Sequence, residues 1–234
     1  MLCAMNAMQR RQFSMVLCSA AALALLPRRA DALSESEAAT GIRAALERGA
    51  VVAVNLLGRP DGFLGNPKVR IPLPGALNDA AGLLRAIGQQ RRVDELVTAM
   101  NRAAEAAVPE AKSLLVQAVK AMSVEDARRI LAGGDDAATQ FFAGKTREPL
   151  GARFLPIVTR ATQRVSLAAK YNALASRAAG LGLVRQEDAN VEQYVTGRAL
   201  DGLYLMIGEE ERKIRQDPIG TGSSILKKVF GSLR

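Results

Sequence analysis

The sequence predicts an all-α fold: a single compact multi-helix bundle carrying one long irregular or extended loop at residues 58–74. Three observations predict it. Apolar residues recur at spacings of three and four through most of the chain beyond residue 33, which puts them on one face of a helix. Caps and breakers cut that pattern into pieces of helical length. No internal repeat of fixed period and no low-complexity linker divides residues 33–234, so one helical domain is the simplest organisation, with eight or nine helices in an orthogonal or mixed bundle.

The first 32 residues stand apart and are set aside before the helices are counted. Arg10 and Arg11 precede Phe13, an apolar run reaches Leu26, and Ala30-Asp31-Ala32 closes the segment. A basic start, a short apolar core and a small-x-small end describe an export signal. The arginine pair with Phe13 resembles the twin-arginine type, which carries folded proteins to the periplasm. Arg28 and Arg29 beside the cleavage site fit that route, and the mature chain is expected to begin at Leu33. The run from Met15 to Leu26 is too short to span a bilayer of about 30 Å.

Beyond the leader, Ser34 and Glu37 form a capping-box pattern. Ile42, Leu46, Ala50, Ala53 and Leu57 then recur helically up to Gly58, which predicts a helix over 36–57 with glycine just past its end. After the loop, Leu77, Leu84 and Ile87 mark a short helix closed by Gly88. A longer one starts near Gln90, with Val93, Leu96, Val97, Met100 and Ala104 on one face. Val108-Pro109 breaks it and starts the next, because proline lacks the N–H that a helix interior needs but suits a first turn.

Ser123 and Asp126 repeat the capping-box pattern for a helix ending at Gly133-Gly134. Asp135 or Asp136 is expected to cap the segment carrying Phe141 and Phe142. A stretch from Thr146 to about Arg164 follows, with a kink expected at Pro156, and a further helix runs from Leu167 to the Gly180-Leu181-Gly182 turn. Asn190 should cap a long helix over 191–216 with Gly197, Gly202 and Gly208 inside it. Glycine costs about 1 kcal/mol relative to alanine there, so these positions are expected to admit close helix approach. Residues 223–233 close the chain as an amphipathic helix.

Composition removes whole classes of chemistry. The chain has no histidine and two cysteines, and both cysteines, Cys3 and Cys18, lie in the leader. The mature chain therefore lacks disulfides, thiolate nucleophiles, Cys- or His-ligated metals and any Ser-His system. No cofactor and no metal is expected. Of 32 basic and 23 acidic residues, four basic and one acidic fall in the leader, which leaves a net charge of +6. That balance favours anionic surfaces weakly. Nucleic acid is a poor partner for a chain whose basic residues alternate with acidic ones and whose aromatics are few.

Six segments together resemble a known family: "GRPDGFLGNPKVRIPLP" at 58–74, "MNRAAEAAVPEAK" at 100–112, "GGDDAATQFF" at 133–142, "FLPIV" at 154–158, "AAGLGLV" at 178–184 and "DPIGTGSSILKKVFG" at 217–231. The resemblance is to the bacterial family catalogued as domain of unknown function 4197. It covers nearly the whole mature chain and implies an exported or lipid-anchored envelope protein. It transfers no catalytic residue.

Four segments are candidate sites. Asp135 and Asp136 could offer oxygen ligands to a hard cation, against the simpler role of helix capping. Glu105 and Glu110, with those aspartates, could form a carboxylate pair for acid/base work. Asn101 and Glu105 share a helix face and Arg102 can reach Glu105, so a buried polar network fixing helix register is the stronger expectation. The terminal helix sets Ile225, Leu226, Val229 and Phe230 against Lys227, Lys228 and Arg234, a pattern fit for core docking or for weak contact with an anionic membrane surface.

The loop is the fourth. Pro60-Asp61-Gly62 and Gly65-Asn66-Pro67 are turn signals. Alternation from 68 to 73 puts Val69, Ile71 and Leu73 on one side and Lys68 and Arg70 on the other. Such a loop is expected to strap across the helices, with Phe63, Lys68, Val69, Arg70 and Ile71 as candidate binding residues. The leading expectation is a non-enzymatic periplasmic binding or interaction module for an envelope component or protein partner. Two alternatives stay open: a carboxylate-dependent hydrolase or lyase, and a peripheral lipid binder acting through the terminal helix.

Overall fold

Helical spacing becomes eight α-helices and one 3₁₀ turn among the described residues: α1 (Glu35–Leu57), α2 (Gly75–Ala86), α3 (Gln90–Ala107), the 3₁₀ turn Val108–Glu110, α4 (Ala111–Lys120), α5 (Val124–Ala132), α6 (Ala137–Thr162), α7 (Ser166–Gly180) and α8 (Val191–Gln216). The structure, a computed structural model, describes residues 35–182, 185 and 188–217. The leader with Arg10, Arg11, Phe13, Ala30 and Ala32, the Ser34 cap and the helix expected at 223–233 lie outside the described residues. No strand occurs among the described residues. None of the described helices is long and apolar enough to cross a membrane.

The long helices α6 and α8 pack against each other at the centre. Helix α3 lies against both, and α1 covers α8 and α4. Phe142, Leu150, Phe154 and Val158 of α6 meet one continuous core with Leu203 and Ile207 of α8 and Leu96 and Met100 of α3. Complete burial of such a side chain contributes about 1.5–3 kcal/mol, so this layer carries much of the hydrophobic stabilisation.

Local signals place several helix ends. Asp126 N–H donates to the Ser123 hydroxyl oxygen and Ser123 N–H donates to the Asp126 carboxylate, the reciprocal box that starts α5. Hydrogen bonds from the Ser123 hydroxyl and backbone hold the Asp126 carboxyl below its ordinary range. The Asn190 side-chain oxygen accepts from Gln193 N–H at the start of α8. Gly88 closes α2 with a φ of 78°, a left-handed conformation open to glycine at no steric cost.

Three expectations need correction. Helix α6 runs as one element through Pro149 and Pro156, where two segments were expected. Seven residues separate the two prolines, so both fall on the same exposed side. The carbonyls four residues earlier belong to Lys145 and Ala152, also exposed residues, where water can replace the missing bond. Neither Asp135 nor Asp136 caps α6 by its side chain, since the orphan N–H groups there find a partner elsewhere in the fold. Ile87, one of the three residues expected to mark α2, lies just past its end at 70% exposure, while Leu77 is buried.

The glycines of α8 also divide. A Cβ on Gly208 would lie 3.2 Å from Thr139 Oγ1 of α6, whereas one on Gly197 would meet nothing within 4 Å. On Gly202 it would sit 2.8 Å from Phe63 Cε1 and 3.3 Å from Val69 Cβ. The neighbour that Gly202 admits is therefore the 58–74 segment, not a helix.

These contacts predict opposite outcomes for two similar substitutions. Gly197→Ala should raise the urea midpoint, gaining up to about 1 kcal/mol of helix propensity. Gly202→Ala should lower it, because overpacking against a rigid buried ring costs about 1–3 kcal/mol.

Candidate functional site

Residues 58–74 cross the bundle with one side inward, as the alternation predicts. Phe63, Val69, Ile71 and Leu73 are buried, while Lys68 and Arg70 are exposed. Three of the candidate binding residues, Phe63, Val69 and Ile71, thus belong to the core, while Lys68 and Arg70 stand at the surface.

Burial of an irregular segment brings its backbone N–H groups away from water, where each needs a partner. Helix α3 supplies them from two side chains one turn apart. Glu105 Oε1 accepts from Phe63 N–H and Leu64 N–H, both at 3.0 Å. The Asn101 side-chain oxygen accepts from Ile71 N–H at 2.8 Å, and its amide donates to the Ile71 carbonyl at 2.9 Å and to the Val97 carbonyl at 2.8 Å. Asn101 is 0% exposed and Glu105 4%. The i, i+4 spacing of these two residues puts them on one face, and that face is the anchor of the strap.

Arg102 completes the anchor from the rim. Its guanidinium donates to Glu105 Oε2 at 2.6 Å and to Asp61 Oδ1 at 2.8 Å. Hydrogen bonding to Glu105 is the first cause that raises the Arg102 pKa. Asp61 takes a left-handed φ of 63°, which aspartate tolerates better than most residues. A Cβ on the following Gly62 would run into the carbonyls of Leu56 and Leu57, so the turn requires glycine there. On the far side Lys68 pairs with Glu209 of α8 at 2.6 Å. The polar network expected around Asn101 and Glu105 therefore exists, but it fixes the strap's backbone and not helix register.

The four carboxylates considered for acid/base work are placed differently. Glu105 spends both oxygens on the strap and Arg102. Glu110 is exposed at the 3₁₀ turn, and Asp135 is exposed before α6. Asp136 accepts from the Gln140 side chain at 2.8 Å. It lines an open groove of about 580 Å³ with Asp126, Arg129, Phe141 and Lys145, and that lining includes none of the other three. Among the described residues no group of three or more His, Cys, Asp and Glu could hold a metal ion.

Two buried carboxylates of α8 escaped the sequence reading. Glu211 accepts from Ala138 N–H, Thr139 N–H and the Thr139 hydroxyl, and pairs with Arg215 at 2.8 Å. It caps α6 from across the bundle, in the place expected for Asp136. Arg215 also donates to the Ile130 carbonyl near the end of α5. Glu192 accepts from the Thr162 hydroxyl at 3.1 Å and the Asn172 amide at 2.7 Å. The one available signal was an acidic residue on the apolar side of a helix, which does not name its partner.

A family model described as "Protein of unknown function (DUF4197)" matches residues 32–231. No curated protein and no solved structure matches the chain.

The anchor has a measurable consequence. Asn101→Ala leaves the buried Ile71 N–H and C=O without partners, each costing about 1–3 kcal/mol. Its urea midpoint should fall, and limited proteolysis should open the chain first within 58–74. Substituting the neighbouring exposed Thr98 by alanine should do neither.

Proposed function

The chain belongs to the DUF4197 family, and from that premise we propose that it is an exported, non-enzymatic binding module for an anionic component of the bacterial envelope. One observation carries the reading. The strap holds Arg59 and Arg70 outward and exposed, and neither meets a carboxylate among the described residues, while its inner side is fixed by Asn101 and Glu105. A surface held in one shape loses little entropy on binding. Guanidinium groups free of intramolecular partners suit phosphate or carboxylate acceptors.

Supporting features lie at both ends of the reading. Export rests on the leader sequence, and the family match begins at residue 32, beside the expected cleavage site. The non-enzymatic reading rests on the sequence, which carries no histidine and no cysteine beyond the leader, and on Glu105, whose oxygens serve the fold. Intact mass of the chain recovered from the periplasm tests the leader: a start at Leu33 is expected, and retention of Arg10 and Arg11 would refute it.

Binding is tested by co-sedimentation with vesicles containing phosphatidylglycerol, against neutral phosphatidylcholine vesicles. Each basic residue near such a surface contributes about 1 kcal/mol, so a double Arg59→Ala, Arg70→Ala variant should bind about thirtyfold more weakly. Affinity of the wild type should fall as salt rises. Equal binding of both proteins to both vesicles, with the variant folded by circular dichroism, would overturn the strap-centred reading.

A further inference from the structure

Helices α6, α7 and α8 line a groove of about 430 Å³ that contains no strap residue, and the buried carboxylate of Glu192 lies at it. Leu155, Thr162 and Gln163 come from the end of α6, Asn172 from α7, and Glu192 and Gln193 from the start of α8. Among the described residues no lysine or arginine lines it. We propose that this groove is a binding site for an organic cation bearing a primary ammonium or guanidinium group.

Charge and hydrogen-bond capacity lead to that ligand. Glu192 is 8% exposed, and among the described residues it accepts from neutral donors, the Thr162 hydroxyl on Oε1 and the Asn172 amide on Oε2. It forms no ion pair among the described residues. A carboxylate offers about four acceptor positions, so each oxygen keeps one to spare. A buried carboxylate ordinarily gains a cationic partner, and the described residues provide none here.

The rest of the described lining is uncharged and mostly polar. The side-chain amides of Gln163 and Gln193 are exposed and have no hydrogen-bond partner among the described residues, so their carbonyl oxygens can accept from an ammonium held against Glu192. Leu155, 37% exposed, offers an apolar wall for an alkyl stem. Among the described residues an anion would meet one negative charge and no positive side chain. A neutral polyol would leave the carboxylate uncompensated.

A purely structural role competes with this assignment. Glu192 sits in the first turn of α8, where a negative charge favours the helix dipole, and it ties α6 to α7. That role predicts lost stability on substitution and no ligand response. Asn172 is braced independently, because its side-chain oxygen accepts from Val191 N–H at 2.9 Å, so the donor facing Glu192 stays placed when the carboxylate becomes an amide.

The experiment is an amide-detected NMR titration of the full mature chain with cadaverine, using sorbitol and glutarate as neutral and anionic controls and a lysine-ended tripeptide as the polymer-borne form of the same amine. Saturable shifts confined to the side-chain amides of Asn172, Gln163 and Gln193 are expected for cadaverine and absent for both controls. A response to the tripeptide alone would assign the amine to a peptide, and a response to cadaverine alone to a free amine. Glu192→Gln should weaken binding at least about tenfold, the loss expected for one charge-assisted contact. If that variant does not fold, Gln193→Ala, which leaves the Glu192 bonds intact, should weaken binding severalfold at unchanged thermal midpoint. No saturable shift with either amine, an equal response to sorbitol, or undiminished binding by the folded variants would overturn the assignment.

Discussion

Asn101 and Glu105, one helical turn apart on α3, satisfy the buried backbone of a segment that makes no helix of its own. Residues 58–74 carry Phe63 and Ile71 into the core, and those rings and branches can enter only if the N–H groups beside them are satisfied. Glu105 takes two of them and Asn101 takes a third together with its carbonyl. Gly202 of α8 leaves the space that Phe63 fills. The strap, α3 and α8 are therefore mutually dependent. Removing a hydrogen-bond partner strands a buried polar group, and adding a methyl group evicts a ring.

The same device recurs elsewhere in the fold. Glu211 gathers two N–H groups and a hydroxyl at the start of α6, and Glu192 gathers a hydroxyl and an amide where α6, α7 and α8 meet. Each carboxylate joins elements distant in sequence by accepting hydrogen bonds that no local cap supplies. The three differ in charge balance. Glu105 has Arg102 and Glu211 has Arg215, whereas Glu192 has no cation among the described residues. That difference separates the two carboxylates that serve the fold alone from the one available to a ligand.

Legibility in the sequence followed the range of the interaction. The Ser123–Asp126 box, the Asn190 cap, the Gly88 turn and the break at Val108-Pro109 are settled within a few residues, and each stands where local chemistry puts it. Strap alternation was readable for the same reason: period two fixes which side chains go inward, and Val69, Ile71 and Leu73 did. The continuity of α6 was not readable, because a proline is tolerated or disruptive according to which side faces water. The cap of α6 belongs to Glu211, and the need for Gly202 belongs to Phe63; both partners lie far away in the chain. Candidate binding residues divided along the same line, with Phe63, Val69 and Ile71 taken by the core and Lys68 and Arg70 left at the surface.

If the strap is a structural member held by α3, its anchored amides share the fate of the core. Native-state hydrogen exchange of the wild-type chain measures this directly at Phe63, Leu64 and Ile71, with Met100 of α3 as the internal standard for global opening. These three amides are expected to exchange with the same opening free energy as Met100. Exchange at the rate of a fraying surface loop, with Met100 still protected, would contradict that role.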